Sequence, residues 1–323
     1  MTTKRIKINR KFKVFVMLGW IIIWLFTPSF ISAANYSVSL QKGSMRYRID
    51  SYDEEIWNAT VSEEFGPEEY FGENANITGS ESKSIFRGWY DVTYNTSELF
   101  FSLLIPPDRI PTLIGLGFNQ SFVDENYTTT YEINLILTAK WSFHPENLPE
   151  SATYPNSVSY ILKDPQGFKT LLDDYNSFTE EVNNYTAPLK ILSNYTANNF
   201  LFELFRTRFA VASPIDSYLT EMVNTLNNVN VSSEANTLIL DIQGEDNYSV
   251  QINFEKTGLQ STITFLDSDE NVFYKITPYG TEWAVWLTVS IVGAVIIAVV
   301  VYAFYKNWKR KKEFRASLVR VQP

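Results

Sequence analysis

Nine carboxylates, Asp50, Asp53, Glu54, Glu55, Glu63, Glu64, Glu68, Glu69 and Glu73, fall within 24 residues that contain no Lys or Arg. Oxygen ligands in that number suit a hard cation such as calcium, and Asp53 and Glu54 are the candidate ligands within the run. A solvated acidic face is the plainer reading of the same residues. Asp267 and Asp269, in Asp267-Ser-Asp-Glu-Asn271, match the opening spacing of a calcium loop. Val272 stands where that loop requires glycine and Pro278 where it requires a bidentate Glu, so a hairpin turn explains the pattern as well. Two carboxylates could also serve an extracellular hydrolase as acid and base, but that chemistry needs a spatial separation which order along the chain does not supply.

Other chemistries are excluded or left unsupported. The 323 residues include no Cys, which removes thiol nucleophiles, disulfides and Cys-ligated metals. The one histidine, His144, lies in Trp141-Ser-Phe-His-Pro145, and no residue pattern marks a Ser and an Asp as its partners in a triad. Gly115-Leu-Gly117 lacks the third glycine of a dinucleotide fingerprint and reads as a turn. A formal charge of -9 argues against nucleic-acid binding, which needs a basic patch.

The elements that would position these residues read as an α+β domain with an antiparallel, β-rich sheet and two packed helices. Apolar runs of period two or continuous character predict strands at 36–40, 45–50, 86–94, 99–105, 131–142 and 157–162. A later meander is predicted from Thr237–Ile242, Tyr248–Phe254, Leu259–Leu266 and Val272–Ile276. Asp164-Pro165 opens a helix to about Tyr185, with Phe168, Leu171, Leu172, Tyr175, Phe178 and Val182 at helical spacing. Ser213-Pro214 opens a second through Tyr218, Met222, Val223 and Leu226. Residues 200–209 carry large apolar side chains on both parities and are expected to form a buried strand, with a helix as the alternative. One sheet wrapping helices, with strands from both chain ends, is the expected architecture. A division near residue 150 is the alternative to a single domain.

The chain ends set the topology. Residues 1–34 read as a signal peptide: six basic residues precede the apolar run Val14–Phe26, and Ser32-Ala-Ala34 offers small residues for cleavage. An uncleaved anchor is the alternative. Residues 283–305 contain no charge and span about 34 Å as a helix, enough to cross a bilayer. Lys306, Lys309, Arg310, Lys311, Lys312 and Arg315 follow in the tail 306–323 and belong on the cytoplasmic side, against anionic lipid. Ser290, Ala294 and Ala298 recur every four residues, a pattern suited to self-association in the bilayer. With both basic ends removed, the stretch between them carries -21, so an extracellular domain over 35–282 is strongly acidic.

That domain contains ten Asn-x-Ser/Thr sequons, at Asn35, Asn58, Asn76, Asn95, Asn119, Asn126, Asn184, Asn194, Asn230 and Asn247. Composition alone would give roughly 4 to 5, so N-glycosylation is expected. Asn247, at a strand start, is the site expected to escape modification. Gly43-Ser-Met-Arg-Tyr-Arg-Ile-Asp50, Tyr52-Asp-Glu-Glu-Ile-Trp57 and Phe65-Gly-Pro-Glu-Glu-Tyr-Phe-Gly72 resemble the opening of archaeal single-pass, N-glycosylated surface proteins. The resemblance implies a location and an architecture and brings no activity with it. The expectation is a membrane-anchored surface protein with a non-enzymatic binding or envelope-interaction role toward an extracellular partner of unknown identity. A lipid or other apolar-ligand module, using the aromatics of 200–209 to line a cavity, is the alternative, and a carboxylate hydrolase is the second.

Overall fold

Nine strands pair antiparallel in one sheet. In chain order they are β1 (Ser44–Tyr52), β2 (Glu81–Asn95), β3 (Thr130–Lys140), β4 (Asn156–Leu162), β5 (Val231–Glu234), β6 (Thr237–Gln243), β7 (Asn247–Phe254), β8 (Gln260–Leu266) and β9 (Val272–Pro278). Their spatial order is β4-β3-β2-β1-β9-β8-β7-β6-β5. Each half of the chain therefore forms a meander, and the two meanders join where the first strand pairs with the last. The sheet curls into a half-barrel accompanied by several helices. The computed structural model describes residues 36–38, 43–140, 142–146, 156–207 and 209–279. The expected signal peptide, Asn35, the apolar segment 283–305 and the basic tail lie outside the described residues. Among the described residues no helix is long and apolar enough to cross a membrane.

The later meander matches the expected strands closely, and two of them alternate cleanly: Leu238, Leu240 and Ile242 are buried on β6, and Tyr248, Val250, Ile252 and Phe254 on β7. A division near residue 150 would fall between β3 and β4, which pair over seven positions.

The helices outnumber the two expected. They are α1 (Glu54–Thr60), α2 (Pro67–Phe71), α3 (Thr96–Leu99), α4 (Ile110–Gly115), α5 (Gln120–Asn126), α6 (Gly167–Thr186), α7 (Ala197–Thr207) and α8 (Ile215–Leu226). Two expected strands are helical. Residues 99–105 continue α3 through a π-helical turn, Phe100–Leu104, started by a capping box in which the Asn95 backbone N–H donates to Glu98 Oε2 at 2.8 Å. Residues 200–207 belong to α7. Phe200, Leu201, Phe202, Leu204 and Phe205 are all buried, and the polar face is narrow, formed by Asn199, Glu203 and Arg206 at helical spacing. Of the expected strand at 36–40, the described part contributes a single bridge between Ser37 and Ser213.

Aromatic packing ties the layers together. Trp57 of α1 is fully buried, its Nε1–H donates to the Phe65 carbonyl at 2.8 Å, and its ring meets those of Tyr52, Tyr70, Phe265, Phe273 and Tyr274 with centroids 5.2 to 6.2 Å away. A second group joins α6 and α7 to β7 through Phe168, Phe205 and Phe254.

Candidate functional site

A chamber of about 280 Å³ lies at one end of the sheet, where β1, β4 and β8 start and β3 stops. Its strand wall is built of short hydroxyl side chains: Ser82 and Ser84 of β2, Thr138 of β3, and Ser157 and Ser159 of β4. Register brings them together. Ser84 pairs with Met45 on one side and Lys140 on the other, Tyr47 pairs with Ser82, and Thr138 pairs with Phe86 and Ser157. Elsewhere the sheet fills its buried positions with large apolar side chains such as Val250, Ile252, Phe254 and Phe265. Here serine and threonine leave the space that leucine or phenylalanine would occupy. Phe71 of α2, Arg206 of α7, Phe209, Ala210 and the β7–β8 turn close the opposite side, and Phe86, Phe143, Ile263 and Ile276 make the lining largely apolar.

The charged groups of the chamber differ in how they are met. Arg206 forks onto Glu203 Oε2 through Nε at 3.0 Å and an Nη at 2.8 Å, and it lies 5.4 Å from the centre of the Tyr70 ring. The Tyr47 hydroxyl donates to the Gln260 carbonyl at 2.9 Å, and burial, then Glu255, pushes its pKa up. Burial likewise raises the Glu255 carboxyl. The Lys140 side chain makes no hydrogen bond or ion pair among the described residues, and burial alone lowers the pKa of its ammonium. Arg206 and Phe209 are shared with a neighbouring cleft of about 390 Å³.

The acids singled out as metal ligands do not converge. Asp53 is the N-cap of α1, its Oδ1 accepting the Ile56 N–H at 3.1 Å, and Glu54 and Glu55 sit in that helix's first turn. Glu68 and Glu69 occupy the same place in α2, so the acidic run complements two helix N-termini. Asp267 and Asp269 belong to the β8–β9 turn. Asp267 Oδ1 accepts the N–H groups of Asn271 at 2.8 Å and Asp269 at 2.9 Å, and these bonds hold its carboxyl below the usual range. The loop is a hairpin turn closed by its own aspartate. Among the described residues no group of three Asp, Glu or His could hold a metal ion.

A carboxylate hydrolase calls for a raised acid beside an ionised one. Burial raises Asp174 and Glu255, while hydrogen bonds lower Asp91, through Lys163 above all, and Asp267. None of these four is among the groups that shift another of the four, so no raised acid is matched with an ionised partner among them. The backbone of His144 exchanges hydrogen bonds with that of Glu81 at 2.8 Å.

Nine of the ten sequon asparagines are described, and each is exposed or half-buried. Asn247 is exposed at the start of β7, so a buried strand is no reason for it to escape modification. Asn76 is the more constrained, half-buried with its Nδ2 donating to Glu68 Oε1 at 2.9 Å.

Sequence reasoning missed the chamber. Its one visible trace was the alternation Ser80-Glu-Ser82-Lys-Ser84 and Ser157-Val-Ser159, which reads as a solvated strand face until the partners are known. The fold and site define an open antiparallel half-barrel with a small, mainly apolar chamber at one end. Comparison of the chain with protein-family models, with curated proteins and with solved structures returns no match.

Proposed function

We propose that the protein is a membrane-anchored, glycosylated surface protein whose extracellular domain binds an apolar or amphiphilic molecule between sheet and helices. The observation that carries this reading is the chamber of about 280 Å³, with a strand wall of hydroxyl side chains and a mainly apolar lining between sheet and helices. Its position supports the reading. Tyr47 of the wall pairs with Pro278, the last residue of β9, so the chamber lies at the end of the sheet from which the chain leads toward the apolar stretch 283–305. The exposure of the sequon asparagines supports glycosylation, and the resemblance of residues 43–72 to archaeal surface proteins belongs to the same proposal.

Photolabelling tests it. The full chain in lipid nanodiscs is exposed to an eight-carbon alcohol carrying a diazirine, and the labelled peptides are mapped by mass spectrometry. Label on the β2, β3 and β4 peptides that form the chamber wall is the expected result. A folded protein with no label on those peptides would overturn the reading.

A further inference from the structure

We infer that the chamber's occupant is a single-chain amphiphile with an anionic headgroup, and that Lys140 receives the charge of that headgroup. The inference rests on the ligand-binding reading above and names the class of ligand. Lys140 is half-buried in the chamber wall, and an ammonium that gives up part of its hydration there gains from a counter-charge or hydrogen-bond acceptors. The chamber's other groups have partners inside the protein: Arg206 has Glu203, and Tyr47 has the Gln260 carbonyl. Glu255 lines the same chamber, yet Lys140 does not shift it and it does not shift Lys140, so the two do not neutralise one another. Lys140 is left as a charge without a partner among the described residues, in a wall that borders empty space.

The rest of the lining matches the two ends of such a ligand. Ser84, paired with Lys140 on the neighbouring strand, adds a hydroxyl to the same chamber wall, and Met45, Phe86, Ile263 and Ile276 supply apolar surface for a chain. At roughly 30 Å³ for each water-sized group, 280 Å³ holds about nine non-hydrogen atoms. That is close to the size of octanoate. Neutral apolar molecules of that size would leave the ammonium unmet, and a polyanion would bring charge that no second free cation of the chamber answers.

The test compares an eight-carbon diazirine fatty acid with the corresponding alcohol, using the full chain in nanodiscs and normalising each probe to the amount bound by the discs. The wild-type chain should label the chamber-wall peptides about tenfold to a hundredfold more with the acid than with the alcohol, the range for a hydrogen bond to a charged group. Lys140→Gln should abolish that preference while keeping the alcohol's labelling, and Lys140→Arg should retain it. The alcohol's labelling also reports that each variant is folded, and Lys140→Met provides a second neutral variant. Equal labelling by acid and alcohol in the wild type, or a preference that survives Lys140→Gln and Lys140→Met, would overturn the role of Lys140 and leave the apolar-ligand reading standing. Absence of both probes from the chamber wall would remove that reading, and this inference with it.

Discussion

Replacing Ser84 by phenylalanine puts an aromatic ring into the middle of the chamber wall, between Met45 and Lys140. The exchange adds five non-hydrogen atoms, or about 150 Å³ at the volume of a water-sized group, against a chamber of about 280 Å³. The ring therefore has room, and its burial should contribute about 2 kcal/mol. For a domain of this size, that corresponds to a rise in melting temperature of about 4 to 8 °C. In a filled interior the same substitution would overpack its neighbours and cost about 1 to 3 kcal/mol, so the sign of the change is diagnostic. Scanning calorimetry of the full chain in nanodiscs measures it, alongside photolabelling by the alcohol probe, which should fall by more than half on the β3 and β4 peptides. A lower melting temperature with undiminished labelling would refute the reasoning, because the space occupied by the ring would not be the space occupied by the probe.

Lys140→Met should raise the melting temperature of the ligand-free chain. Burial lowers the folded-state pKa of Lys140, so between that value and the ordinary lysine range the unfolded chain binds more protons and wild-type stability climbs with pH; the advantage of Met should shrink as pH rises, with Arg206, Glu255 and Tyr47 common to both proteins, and a pH-independent gain would contradict this. Gly258→Ala should be far more damaging than Gly72→Ala in chemical denaturation: both have positive φ, at +83° and +96°, but an added Cβ at Gly258 would lie 1.8 Å from the Val211 carbonyl oxygen while at Gly72 it meets nothing. About 1 to 2 kcal/mol is expected at Gly72, and several more at Gly258, where the Val211 carbonyl must move. Asn119→Gln should remove one glycan by gel shift and also cost about 1 kcal/mol in melting, since Asn119 Oδ1 caps α5 by accepting the Phe122 N–H at 3.0 Å; Asn230→Gln should remove a glycan without that loss.

The parts of the fold that were legible in the sequence are those whose burial is one-sided. β6 and β7 alternate, and α6 shows Phe168, Leu171, Leu172, Tyr175, Phe178 and Val182 on one stripe, because each has a more exposed face opposite. The misread α7 is buried over most of its surface. Its large apolar residues occupy both parities, which suggested a strand, while the helical period is carried only by the narrow polar face of Asn199, Glu203 and Arg206. The strand expected at 99–105 fails for a different reason. Asn95-Thr-Ser-Glu98 is a capping box written in the sequence, and hydrophobicity alone outweighed it in the reading of Phe100–Leu104.

The acids illustrate how a chemical pattern can belong to local structure. Asp53, Glu54, Glu68 and Glu69 gather because two helices start within fifteen residues of one another, and each start favours negative charge. The chamber has the opposite character. Its wall draws on residues from 43 to 276, assembled by pairings that include β1 with β9, the most distant strands in the sequence. No local spacing can announce it. Lys140 is unremarkable at the end of a strand and becomes informative only when the fold places it, half-buried, in one chamber wall with Ser84, Phe86, Phe143 and Phe209 and pairs it with no side chain among the described residues. An ammonium that gives up part of its hydration in a mainly apolar wall gains from a counter-charge, and a ligand's headgroup supplies one.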